Sequence, residues 1–121
     1  MKDRIRFIEH KGQQIMLVDF TNCSSKEVLA IVAEVREQIP EHPRNSLLTL
    51  ADYTGSEVDK PVAMRIKETL VLDRPYVKRS AWVGTEHLPH VFYENFKSFS
   101  QREFPLFKTR EEAMDWLVKG D

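Results

Sequence analysis

Cysteine, glycine and long apolar runs are all scarce in this chain. Of its 121 residues one is cysteine, four are glycine and two are tryptophan. The lone thiol, Cys23, excludes an intramolecular disulfide and a cysteine-rich zinc site, and it makes a reduced, cytoplasmic setting the expectation. No apolar run approaches the ~20 residues of a membrane-spanning helix. The opening Met1-Lys2-Asp3-Arg4 also lacks the apolar stretch of a signal peptide, so stable membrane insertion is not expected. An excess of one charge is missing too. Lys and Arg number 18 against 19 Asp and Glu, and the net charge of −1 offers no general attraction for nucleic acid. No internal repeat, linker or low-complexity tract is visible. The remaining composition, 41% hydrophobic and 31% charged, is that of an ordinary globular chain. Its length fits one domain over residues 1–121, with enough core to fold without staples.

The small polar residues are placed with a pattern. Three apolar runs, Ile15–Val18, Leu47–Leu50 and Ala81–Val83, each end in a short polar turn that leads into a helix-like segment. The first turn carries Asp19, Thr21, Asn22, Ser24 and Ser25. The second carries Asp52, Thr54, Gly55 and Ser56, and the third Gly84, Thr85, Glu86 and His87. Three parallel neighbours in one sheet would bring all three turns to its carboxyl edge, where open α/β sheets bind ligands.

The elements around these runs can be read in order. Arg4–Glu9 mixes charged and apolar residues as a strand with one wet face does, and His10-Lys11-Gly12-Gln13 can turn it into a second strand ending near Phe20. Ser24-Ser25-Lys26-Glu27 is a capping box. Behind it Val28, Ile31, Val32, Val35 and Ile39 recur at helical spacing, until Pro40 and Pro43. A second helix shows Val62, Ala63, Ile66 and Leu70 on one face, with Pro61 in its first turn. Arg74-Pro75 ends it, and a fourth strand covers Val77–Val83. Val91, Phe92, Phe96 and Phe99 mark a third helix. Phe104–Phe107 forms a short edge strand, and Thr109-Arg110-Glu111-Glu112 caps a last helix. The order ββαβαβαβα gives a five-stranded mixed sheet, four strands parallel and the first antiparallel, with about four helices.

This order, with the tail Phe107-Lys108-Thr109-Arg110-Glu111-Glu112-Ala113-Met114-Asp115-Trp116-Leu117, resembles the SpoIIAA-like proteins of the STAS superfamily, the anti-sigma factor antagonist fold. The tail is similar to the "F-x-T-x-E-E-A-x-x-W-L" close of that bacterial family. The resemblance implies an α/β regulatory binding domain rather than an enzyme, with no cofactor. In the antagonists a phosphorylatable serine follows the third strand within an Asp-Ser-Ser-Gly-like motif. Here Leu50-Ala51-Asp52-Tyr53-Thr54-Gly55-Ser56 keeps an Asp-x-Thr-Gly echo of it. The architecture shared with Sec14-type domains implies, as the alternative, a lipid or other apolar ligand.

The candidate site is therefore Asp52, Thr54, Gly55 and Ser56, flanked by Thr21, Ser25, Thr85 and His87. Exposed N–H groups there, ahead of a helix, would favour a small anion or a phosphate on Thr54 or Ser56. The plainer reading is that Asp52, Thr54 and Ser56 only satisfy turn and cap backbone groups. A protein partner or a small anionic or lipid ligand is the expected occupant, and a homodimer is allowed. Cys23 with His87 would make a small thiol enzyme only if the two meet and the thiol's pKa is lowered. His87-Leu88-Pro89-His90, with Glu86, lacks a third convincing ligand, so no metal is expected. Phe92, Phe96 and Phe99 read as core or as the wall of an apolar cavity. Tyr93, Val71 and Leu72 fall off the inner stripes. Lys78, Arg79, Lys97, Arg102, Lys108 and Arg110 read as a solvated charged face.

Overall fold

A computed structural model describes residues 3–89, 92, 94–97 and 105–119. Strand β1 (Ile5–His10) turns through Lys11 and Gly12 into β2 (Gln13–Asp19). Both turn residues have positive φ, 51° and 83°, the left-handed pair that matches the twist of a two-residue hairpin. Helix α1 (Ser25–Gln38) follows. The Ser24 hydroxyl accepts from the Glu27 N–H, and the Glu27 carboxylate accepts from the Ser24 N–H, which completes the expected box. The helix tightens into a 3₁₀ turn (Ile39–Glu41) at Pro40. Strand β3 (Leu47–Asp52), helix α2 (Lys60–Asp73) and strand β4 (Val77–Val83) come next. Residues 94–97 are helical, β5 (Leu106–Phe107) is short, and α3 (Arg110–Lys119) ends the fold, its Thr109 hydroxyl accepting from the Glu112 N–H.

The five strands lie in chain order β1-β2-β3-β4-β5, with β1 antiparallel to β2 and all later pairs parallel. This is the α/β mixed sheet with four helices that the order of elements implies. The inner strands are buried on both faces, which is why Ile15-Met16-Leu17-Val18 shows no alternation. Alternate residues feed two separate cores. Met16 and Val18 pack with α1 and α2 through Val28, Ile31 and Val62. Ile15, Leu17 and Leu50 pack on the other face against Ala113 and Leu117 of α3. A one-residue slip would exchange these two sets, so the register is strongly specified. In that register Asp19 sits beside Asp52, and Asp52 beside Val83. The three polar turns therefore do gather at one carboxyl edge.

Val91, Phe99 and Phe104 lie outside the described residues, as does Tyr93. Phe96 is buried against Trp82, and Phe92 is packed beside it, as core. Met64, Val71 and Leu72 of α2 are exposed. No helix among the described residues is long and apolar enough to cross a membrane.

Candidate functional site

Two of the turns are built alike. Asp19-Phe20-Thr21-Asn22-Cys23 follows β2, and Asp52-Tyr53-Thr54-Gly55-Ser56 follows β3. In each, the aspartate Oδ1 accepts twice from the threonine two residues on. Thr21 donates its N–H (3.0 Å) and hydroxyl (2.6 Å) to Asp19, and Thr54 its N–H (3.0 Å) and hydroxyl (2.7 Å) to Asp52. Each chain then folds back through one more bond, Cys23 N–H to Phe20 O and Ser56 N–H to Tyr53 O. The fourth residue of each has positive φ, 57° at Asn22 and 71° at Gly55. Phe20 and Tyr53 stack with centroids 4.9 Å apart, and Trp82 continues the aromatic row from β4. The sequence reading found no internal repeat. A five-residue one exists, hidden because only Asp and Thr are identical between its copies.

The turns are also laced together. Asn22 N–H donates to Thr54 O, Glu57 N–H to Cys23 O, and Tyr53 N–H to Val83 O. The N–H groups of Thr54 and Ser56 are thus already used inside the protein. Helix α2 starts only at Lys60, capped by the Asp59 carboxylate accepting from Val62 N–H. Two of the donors expected to be exposed at Asp52–Ser56, the N–H groups of Thr54 and Ser56, are used within the turn, while α2 carries Pro61 in its first turn as the sequence implies.

The remaining candidates fall as follows. Thr54 and Gly55 are exposed at the tip, whereas Ser56 is 4% exposed. The Ser56 hydroxyl is buried with no hydrogen-bond partner among the described residues. The Thr54 hydroxyl is itself committed to Asp52 and lies against Gly84 of the third turn. His87 is exposed, and its Nε2 lies 2.8 Å from Ser56 O, so the third turn does close on the second. Thr85 is half-buried beside it. Ser25 donates its N–H to Glu57 Oε1 at the start of α1.

Cys23 does not meet the demands of a nucleophile. It is 1% exposed, and burial pushes its thiol above the ordinary 9.0, against the opposing charge of Arg4. No hydrogen bond joins it to His87 among the described residues. The thiol-enzyme alternative is corrected accordingly: Cys23 is a small apolar core residue. Among the described residues no cluster of His, Cys, Asp and Glu could hold a metal, and His90 lies outside them. The pocket between Trp82, Phe92 and Phe96 measures about 40 Å³, and one between the sheet, α1 and α2 about 70 Å³. The larger is apolar, with Thr49, Thr69, Ser80 and Asp73 on its wall.

Three arginines complete the site, and sequence reasoning missed their convergence. Arg110, the first residue of α3, donates Nε to Asp52 Oδ2 at 2.7 Å and brings Nη2 to 3.5 Å from Asp19 Oδ1. Arg4 Nη1 lies 3.4 Å from Asp19 Oδ1 and donates to the Thr21 carbonyl and hydroxyl at 3.1 Å. Arg6 Nη1 lies 3.5 Å from Asp19 Oδ2. Each aspartate thus turns one oxygen to its threonine, and Arg110 bridges the pair. Burial pushes the Asp19 carboxyl up, but the Thr21 hydroxyl and N–H, then Arg110 and Arg4, outweigh it. The net result is a carboxyl below its ordinary 3.8. The signal available beforehand was the i, i+2 spacing of Arg4 and Arg6, which puts Arg6 of β1 and Arg4 just before the strand on one side of the extended chain.

One solved structure superposes on this arrangement over nearly its whole length. It is an uncharacterised protein of the DUF3478 family with a SpoIIAA-like fold, from Shewanella loihica PV-4. The similarity covers 94% of this chain and 92% of that one, with a TM-score of 0.71 and 16% identity. The fold is SpoIIAA-like. At that identity the likeness concerns the fold alone. No protein-family model matches the sequence, and no curated protein sequence matches it. The SpoIIAA-like architecture accounts for the tail motif in structural terms. Thr109 caps α3, and Ala113 and Leu117 are buried against the sheet.

Proposed function

We propose that this protein is a non-catalytic regulatory domain of the STAS type that engages a protein partner or small ligand through its carboxyl-edge turns. The observation that carries this reading is the pair of interlocked Asp-aromatic-Thr turns, held rigid from below and presenting Thr54 and Gly55 outward. A rigid edge with little exposed hydroxyl chemistry suits recognition better than turnover, and SpoIIAA-like architecture supports a regulatory role by fold analogy. Thr54 is the residue through which such docking would respond to phosphorylation. Its hydroxyl proton now goes to Asp52. A phosphate there would remove that donor and set about −1.5 to −2 charges beside a carboxylate, driving the turn open.

Native mass spectrometry of protein purified from its own source tests this reading. A phosphate-sized mass increment mapping to Thr54, or a retained partner lost on Thr54→Glu substitution, supports it. A lipid-sized adduct would replace it with the apolar-ligand alternative. A bare monomer whose Thr54→Glu variant shows an unchanged turn by NMR would overturn the phosphorylation-sensitive form.

A further inference from the structure

We propose that Arg4, Arg6 and Arg110 form a binding site for a phosphoryl group, on the face of the carboxyl edge that α3 covers. This rests on the reading of that edge as the working end of the domain, and it names a ligand chemistry for it. Two buried carboxylates hold three cations, with the Glu27 carboxylate also within electrostatic reach of Arg4. Asp19 and Asp52 are 8% and 5% exposed, and all four of their oxygens already face a donor or a guanidinium. They act as anchors: they fix the arginine forks and leave no free oxygen toward an incoming anion.

The arginines are far from saturated. Their side chains are 28%, 40% and 34% exposed for Arg4, Arg6 and Arg110. Arg4 and Arg6 each use one nitrogen, Nη1, and Arg110 uses Nε and Nη2. Among the described residues no other hydrogen bond is made by these groups. Nε and Nη2 of Arg4 and Arg6, and Nη1 of Arg110, are left for solvent or a ligand. All three guanidinium groups converge on the Asp19 carboxylate, and the N–H groups they leave over suit the terminal oxygens of a phosphoryl group. Fixing them in advance lowers the ordering cost of binding. The same anchors couple the site to the turns, because Asp19 and Asp52 each touch an arginine on one side and a threonine on the other.

The test is an NMR titration of the intact chain at low ionic strength, with inorganic phosphate in one arm and phenyl phosphate in the other. Saturable shifts of the three arginine side chains and of Thr21 and Thr54 are expected. Tighter binding of phenyl phosphate would mark a phosphomonoester as the ligand, and equal binding would mark phosphate itself. Arg6→Gln should weaken affinity about tenfold, the worth of one charge-assisted hydrogen bond, with Arg6→Lys falling between it and the unaltered protein. Absence of saturable shifts, or Arg6→Gln binding as tightly as the unaltered protein, overturns the site. Should Arg6→Gln fail to fold, shifts mapping away from the three arginines overturn it instead. Either failure leaves docking through Thr54 standing, since that reading is judged by the native mass and by the Thr54→Glu variant.

Discussion

The two Asp-aromatic-Thr turns share a backbone plan but occupy different surroundings. The β3 turn is flanked on both sides. Gly84 of the third turn lies against Thr54, where an added Cβ would overlap the hydroxyl and sit 2.5 Å from the backbone N. On the other side Gly55 lies against the Asn22 side chain. The β2 turn meets the segment leading into β1 on its other side, where Asp19 N–H donates to Arg4 O at 2.7 Å, and its aspartate gathers three arginines at 3.4–3.5 Å. One turn is thus fixed by close packing and a single short ion pair, the other by diffuse charge. The difference teaches that one motif can be held by contact or by field, and that the two respond to different perturbations.

The largest effect should come from breaking the packed side. Gly84→Val puts a branched side chain at φ 75° into the backbone of Thr54. Backbone strain and overpacking together should cost about 3–5 kcal/mol, read as a fall in the denaturant midpoint. Gly12→Ala is the control. It too has positive φ, 83°, but nothing lies within 4 Å of its added Cβ, so about 1 kcal/mol is expected.

Charge removal should separate the turns next. Asp52→Asn loses the 2.7 Å bond to Arg110 and should cost about 2 kcal/mol, less than a fully buried pair because Arg110 is a third exposed. Salt should change that loss little, since the contact is short and mostly buried. Asp19→Asn should cost about 1–2 kcal/mol, through repulsion among three cations spread over longer distances, and added salt should shrink the loss. Equal salt responses of the two variants would erase the distinction between contact and field. The acid limb gives a further check. Asp19 has a folded carboxyl below its ordinary 3.8, so its stabilisation is present above that pH and is lost as pH falls through the folded value. Asp19→Asn should therefore flatten the fall in stability below about pH 4.

Much of this architecture was legible in the residues. Helix starts were readable because Ser24 with Glu27 and Thr109 with Glu112 are local chemistry, complete within one turn. The parallel order followed from Ile15–Val18 being apolar on both faces and from the helical crossovers between successive strands. The gathering of polar turns at one edge followed from that order. The site's internal wiring was not legible, because it depends on register. Nothing in Arg110 alone points to Asp52, 58 residues away, until β2 and β3 pair so that Asp19 and Asp52 stand side by side. Likewise the use of the Thr54 and Ser56 N–H groups depends on the β3 turn closing on itself. A residue-by-residue reading treats Ser56 as an accessible hydroxyl, whereas tertiary packing of the third turn buries it.

That burial gives the smallest and sharpest test of how alike the turns are. Cys23 and Ser56 hold the same place in their motifs, and both are buried, at 1% and 4% exposure. The thiol is content in an apolar setting, while the buried Ser56 hydroxyl has no partner among the described residues. Ser56→Ala should therefore be neutral or stabilising, by up to about 1 kcal/mol, because it removes an unsatisfied group. Cys23→Ser should do the reverse and cost about 1–3 kcal/mol, by burying a hydroxyl among apolar neighbours. Opposite signs in paired thermal melts would mean that Ser56 is retained for something other than stability. A loss of stability in Ser56→Ala would instead mean that its hydroxyl has a partner, such as an ordered water, that holds the β3 turn closed.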